Sequence, residues 1–390
     1  MAYGSRRGFL RAGLAVAPAV VGGAWALTGP ANATGTGSTP AALRPGGEFD
    51  QYLSRLAAED QFSGTVLVAC DGQPVLSRSF GYADRKKGIR NQADTVFCLA
   101  SVTKLFTAIA VAQLVQRGSL SLLDPIGAHL SGFAAGVADK VTVHHLLTHT
   151  SGLGDFMRDP GYFEEAVTWT TPEQMMDGTL RYIRTESLLF APGAGSQYSN
   201  SGYHVLGCIV QKVSGQSYYD YVRAHVFRPA GMTDADFTTL PQWRSGSRYA
   251  HPYPTDQSGN RYDALDGDAF VYIGNPAGNA LATAADLVRF ARALNGGALL
   301  DAPYREVFVT PKLPKPPRPD LPEVTAFTGY APDNFLINDR WVAGHGGAAP
   351  GVTTGVDWYP GTGWTAVNLS NYDVSPNADV SRRLRQILTS

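Results

Sequence analysis

"CLASVTKLFTA", residues 98–108, sets Ser101 three positions before Lys104 in a run whose apolar spacing predicts the start of a helix. Leu105, Ile109, Ala112 and Val115 recur at helical intervals until Gly118 ends the pattern. Residues three apart share a helix face, so Lys104 points back toward Ser101. A serine hydroxyl is a poor nucleophile until a base removes its proton. A lysine serves as that base only where burial or nearby positive charge disfavours its ammonium form. This is the one S-x-x-K in the chain, which has only 7 lysines. One such spacing still arises by chance, so the rest of the sequence has to supply the other parts of a site.

Two further stretches do so. In "PGAGSQYSNSGYHVLG", Tyr198 and Asn200 flank Ser199 on a predicted loop after a Pro-Gly turn. A tyrosine hydroxyl beside a lysine ammonium is biased toward phenolate and can shuttle a proton between nucleophile and leaving group. Asn200 offers an amide donor and an acceptor, for substrate and for Lys104. In "VAGHGGAAPGVT", His345, Gly346 and Gly347 close a predicted strand. Adjacent glycines let a substrate approach the backbone, and an N–H just after them can face an oxyanion.

With these three stretches in order, the chain resembles the serine β-lactamase and D,D-peptidase superfamily. It is most similar to the branch of class C β-lactamases, D-alanyl-D-alanine carboxypeptidases, D-aminopeptidases and related esterases. The resemblance runs from about residue 48 to 388 and takes in "VTVHHLLTHTSGL", "YVRAHVFRPAGM" and "PAGNALATAADLVRF". It implies an α/β (α+β) fold of the β-lactamase and transpeptidase kind: an antiparallel sheet flanked by terminal helices, with an inserted helical domain and the site between them. By position it implies Ser101 as acylated nucleophile, Lys104 as general base, Tyr198 as proton relay and Asn200 as a substrate and lysine contact. It also implies the backbone N–H groups of Ser101 and Ala348 as oxyanion hole. His345, Gly346 and Gly347 stand where many relatives carry Lys-Thr-Gly or His-Thr-Gly to hold a substrate carboxylate. Here the threonine hydroxyl is missing and the histidine is largely neutral at pH 7. The implied reaction is D,D-peptidase-like hydrolysis of peptides containing D-residues. The alternatives are a carboxylesterase or transacylase on a small ester, then a β-lactamase, then a non-catalytic penicillin-binding sensor.

Outward from these motifs, "SGTVLVACDGQPVLSRSFGYAD" predicts two strands around an Asp71-Gly72 turn, and "GEFDQYLSRLAAE" a helix before them. The end alternates as strands in "RWVAGHGG", "TGVDWYP" and "WTAVNLSN" and closes with the helix "NADVSRRLRQILTS". Strands at both ends with helices between predict one sheet interrupted by a helical insertion, roughly residues 100–300 of a hydrolase domain spanning 47–390. "TPKLPKPPRPDLPE" (310–323) predicts an exposed loop. "TGTGSTPAALRPG" (34–46) predicts a linker.

Residues 1–33, with Arg6 and Arg7, a weakly apolar run and Ala31-Asn32-Ala33, predict a twin-arginine export signal cut after Ala33. Cleavage removes three arginines and no acids, taking the net charge from −1 to −4. The expectation is a secreted, extracytoplasmic protein with no stable membrane anchor.

Composition is that of a large globular core, 44% hydrophobic and 17% charged. Intermixed charges leave no footprint for nucleic acid. Cys70, Cys98 and Cys208 are too few and too far apart for a disulfide framework or zinc site. His144, His145 and His149 lack the glutamate of H-E-x-x-H, so no metal or organic cofactor is expected. No G-x-S-x-G occurs, which argues against an α/β-hydrolase elbow. The partner is a small-molecule or peptide substrate, and sequence leaves the oligomeric state open.

Overall fold

The computed structural model describes residues 39–373 and 376–390; the expected export signal lies outside them. Its frame is an eight-stranded sheet, antiparallel wherever strands pair, in the order β2-β1-β12-β11-β10-β9-β8-β7. The strands are β1 (Gly64–Cys70), β2 (Gln73–Phe80), β7 (Leu313–Pro314), β8 (Val324–Thr328), β9 (Asp333–Ile337), β10 (Arg340–Ala349), β11 (Val352–Trp358) and β12 (Trp364–Ser370). Two small ribbons pair β3 (Tyr82–Asp84) with β4 (Ile89–Arg90), and β5 (Phe97–Cys98) with β6 (Leu281–Ala282).

The hairpin predicted at Asp71-Gly72 is present, with φ of 50° and 78° at its two turn residues. Positive φ at both centres makes a turn whose twist matches that of the strands, which is why Asp-Gly suits it. β1 reads as an unbroken apolar run because both its faces are covered. Val66 and Val68 pack under the terminal helices Glu48–Ala58 and Pro376–Thr389, with Phe49, Leu53, Val380 and Leu384. Leu67 and Ala69 face the larger cluster on the other side of the sheet. At its centre the helix Lys104–Gln116 is buried on every side from Lys104 to Leu114. Such a helix needs apolar residues all round, so a lysine within it calls for a reason.

Two expectations need correction. β7 forms inside the Pro-rich stretch: Lys312 and Lys315 donate backbone N–H bonds of 2.8 Å to Thr328 and Ala326. Pro314 is tolerated there because β7 is an edge strand. His345, Gly346 and Gly347 sit within β10 and do not close it, paired with Val356, Gly355 and Thr354 of β11.

Candidate active site

Ser101 sits on a 3-10 turn, Ala100–Thr103, that leads directly into the buried helix. Ala100 is held at φ 44°, a left-handed conformation costly for any residue with a Cβ. Its neighbours enforce it. The Leu99 N–H donates to Ala280 O at 2.8 Å, while Thr103 Oγ1 and the Asn279 N–H donate to Ala100 O at 2.7 and 3.1 Å. Thr354 Oγ1 of β11 donates to Leu99 O at 2.9 Å, tying the turn to the sheet. Gly347 makes that approach possible: a Cβ there would lie 2.3 Å from Leu99 O and 2.5 Å from Thr354 Oγ1. The glycine is required for close passage rather than for its dihedral angles.

Lys104 is fully buried and donates to Ser101 Oγ at 3.2 Å, Asn200 Oδ1 at 2.8 Å and Ala277 O at 2.6 Å. Burial pulls its pKa from 10.5 down to about 7, against the opposing pull of the Asp155 carboxylate. An ammonium that is neutral half the time at neutral pH is what a general base requires.

Tyr198 lies on the loop before the helix Asn200–Ser214, and its phenol lines the same cleft as Ser101. The residue is 45% exposed, but its phenol is pushed up by desolvation, the nearby Ser101 hydroxyl only partly offsetting this. The expected bias toward phenolate is therefore corrected. A half-neutral lysine whose charge already goes to Asn200 and Ala277 does not ionise a desolvated phenol. The arrangement favours a neutral phenol and a neutral amine, with the amine on Ser101. Lys104 Nζ also stands 4.7 Å from the Tyr198 ring centroid.

Asn200 is the first residue of its helix, capped by Ser199, and not a loop residue. Its Nδ2 donates to Asp155 Oδ2 at 2.8 Å, which turns Oδ1 toward Lys104. Asp155 escapes sequence reasoning because nothing local marks it. His149, named above among three histidines, has a structural task beside Tyr198. Its Nδ1 accepts the Ser199 N–H at 3.1 Å, and its ring stacks on Tyr198 with centroids 4.6 Å apart. Burial and the Lys104 charge hold it well below the usual histidine range, hence neutral. His144 meets Tyr330 Oη at 2.7 Å, and His145 Nδ1 accepts the Thr142 N–H at 3.2 Å. The three histidines thus serve three separate places.

His345 is buried, with Nδ1 on the carbonyl of Gly346 and its pKa pulled down to about 4 by desolvation. It carries no charge at neutral pH. Gly346 and Ala348 are exposed on β10 and, with Ser101, Tyr198 and Asn200, line a cleft of about 790 Å³. Phe156, Tyr162, Phe163 and Phe270 are also among its lining residues, Phe270 apart from the other three in the cluster around Trp243. A serine with an amine on its oxygen and a phenol in the same cleft, facing a glycine-lined strand edge, is equipped for acyl transfer.

The family described as Beta-lactamase matches residues 49–389. The chain belongs to the beta-lactamase family. Within this family of serine hydrolases, it is 30% identical to penicillin-binding protein 4 of Amycolatopsis lactamdurans over 347 residues, 86% of this chain and 88% of that one. It is 38% identical to the esterase EstB of Burkholderia gladioli over 219 residues, 54% of each chain. A solved penicillin-binding protein from Bacillus halodurans superposes with a TM-score of 0.75 at 28% identity, covering 86% of this chain and 99% of that one. The first curated relatives are spanned only in part, between 54% and 69% of their length. The matches bear out the serine-hydrolase family and fold expected from the three motifs. No helix among the described residues is long and apolar enough to cross a membrane.

Proposed function

We propose that this enzyme acylates Ser101 with small, uncharged esters and amides bearing an apolar acyl group and then hydrolyses the acyl-enzyme. Lys104 takes the Ser101 proton as Oγ attacks the carbonyl. The neutral phenol of Tyr198, in the same cleft, gives its proton to the leaving group as that bond breaks and regains one from Lys104, so the proton taken from Ser101 departs with the alcohol or amine. Asn200 holds Lys104 and offers its amide to the substrate, and the N–H groups of Ser101 and Ala348 receive the oxyanion. Water then attacks the acyl carbonyl, with Lys104 taking its proton and returning it to Ser101 Oγ as the acyl–oxygen bond breaks and the carboxylic acid leaves.

The observation that carries the substrate class is the cleft's charge. Among its described lining residues, Arg385 is the one lysine or arginine, and Asp357 holds it through both carboxylate oxygens at 2.8 and 2.9 Å. His345 is neutral, Gly346 has no hydroxyl, and Lys315 is paired with Asp333. A terminal carboxylate, as on D-Ala-D-Ala or a penicillin, meets no free cation among the described lining residues, while the aromatic side chains among them suit an apolar acyl group. This supports ester and neutral amide hydrolysis over the D,D-peptidase activity expected from sequence, and amides of D-residues lacking a free carboxylate stay within the class. Secretion after twin-arginine export, with residues 1–33 removed ahead of the 47–390 hydrolase domain, is part of the same proposal.

A panel of p-nitrophenyl butyrate, D-phenylalanine amide, nitrocefin and a D-Ala-D-Ala peptide tests the substrate class. The expected order of kcat/KM puts the ester and the amide above both carboxylate substrates. Faster turnover of nitrocefin or the D-Ala-D-Ala peptide overturns it.

A further inference from the structure

Glu186 lies behind the loop that carries Asp155, away from Ser101. One carboxylate oxygen accepts the Ser201 hydroxyl and the other accepts the Gly154 N–H at 2.9 Å. Ser201 Oγ in turn accepts the Phe156 N–H at 2.9 Å. Ser199, the cap of the same helix, donates its hydroxyl to Gly154 O at 2.7 Å. The side chains of Glu186, Ser199 and Ser201 therefore pin residues 154–156 to the first turn of the Asn200–Ser214 helix. Between the pins, Asp155 and Asn200 meet, and Asn200 holds Lys104. The path Glu186, Gly154 and Phe156, Asp155, Asn200, Lys104, Ser101 is continuous, each link a hydrogen bond, one relayed by Ser201, or one step along the chain.

We propose that Glu186 is a positioning residue: its carboxylate fixes the 154–156 loop so that Asp155 orients Asn200, and its protonation loosens that grip and slows the reaction at Ser101. The inference rests on the serine acyl-enzyme reading above. Ionisation matters because a carboxylate accepts two hydrogen bonds without competition, whereas the acid must turn one oxygen into a donor toward a Ser201 oxygen that already accepts from Phe156. The groups facing Glu186 favour that switch near neutrality. Asp155 and Asp159 face it from the loop, Arg158 shares that wall, and Tyr182 comes from the preceding helix. Desolvation chiefly, with the two aspartates adding to it, raises its pKa to about 7 against the pull of its two hydrogen bonds. Stability linked to this group is sign-reversed from an ordinary salt-bridged acid. The folded pKa lies above the unfolded one, so ionising Glu186 costs the fold stability as pH rises from the ordinary carboxylate value to about 7, even though its two hydrogen bonds are fully formed only by the carboxylate.

The test compares kcat/KM for p-nitrophenyl butyrate from pH 5 to 9 in wild type, Glu186→Gln and Ser201→Ala, with Ser101→Ala as blank. Wild type needs both Lys104 and Glu186 deprotonated, so its acid limb should be steeper than one proton allows. Glu186→Gln copies the protonated acid. It should fall about tenfold below wild type at pH 8.5, show a one-proton limb, and converge on wild type at pH 5.5. Ser201→Ala keeps the carboxylate but cuts its tie to Phe156, and should also lose rate mainly at high pH. Should Glu186→Gln fail to fold, Ser201→Ala alone decides. Curves that stay parallel at every pH, or variants within twofold of wild type throughout, overturn the proposal. Activity remaining in Ser101→Ala would instead refute the acyl-enzyme reading, a separate outcome.

Discussion

Replacing Lys104 with methionine isolates the cost of keeping a lysine neutral inside the core. The side chain is fully buried, and its pKa falls from 10.5 to about 7 through desolvation. Between those values the unfolded chain binds a proton that the folded chain has lost, so wild-type stability rises with pH across that window. Relative to an ordinary lysine, the penalty is about 4 kcal/mol at pH 7 and about 2 kcal/mol at pH 9. Methionine has similar length and no charge, and it leaves Asn200 Oδ1 and Ala277 O without their donor. That loss is independent of pH, because neither acceptor titrates. Urea unfolding at pH 7 and pH 9 should therefore show wild type gaining about 2 kcal/mol on Lys104→Met between the two. The variant should at the same time lose acyl transfer. A stability difference that stays constant with pH would mean Lys104 remains an ordinary ammonium in the fold, and its assignment as base would fall with it.

Gly347→Ala places a Cβ 2.3 Å from Leu99 O and should push β10 off the Ser101 turn. The expected losses are more than about tenfold in kcat and about 1–3 kcal/mol in stability by urea unfolding, and near-normal kcat contradicts this. His149→Leu removes the acceptor of the Ser199 N–H and the stacking partner of Tyr198. It should lower kcat by about ten- to a hundredfold with a smaller change in KM, and an unchanged kcat refutes the positioning role. His345→Lys with Gly346→Thr should raise nitrocefin turnover relative to a neutral ester by about ten- to a hundredfold. A Cβ at Gly346 finds its nearest neighbour at 3.7 Å, so the threonine has room. An unmoved ratio would mean the carboxylate is held elsewhere.

What sequence made legible is what short-range spacing encodes. Ser101 and Lys104 are brought together by one turn of backbone, and Asp71-Gly72 by a turn that few other pairs allow. β8 and β9 escaped because they are short, only partly buried and flanked by turn-forming residues, so no clean alternation marks them. Asp155, Glu186 and His149 escaped for another reason. Each acts through a partner 15 to 50 positions away, and a lone polar residue in a loop carries no sign of it. The phenolate expected at Tyr198 failed on burial, which is a property of the whole fold and not of the neighbouring letters.

Intact-mass spectrometry after treatment with a fluorophosphonate bears most directly on the claim that this chain works through an acyl-enzyme on Ser101. The wild-type protein should gain one adduct per chain, with its ester hydrolysis abolished in proportion. Ser101→Ala, which removes only the attacking oxygen, should gain none and lose at least about a thousandfold in turnover. An adduct of the same stoichiometry on Ser101→Ala, or ester hydrolysis that survives the substitution, would place the nucleophile elsewhere and contradict the account.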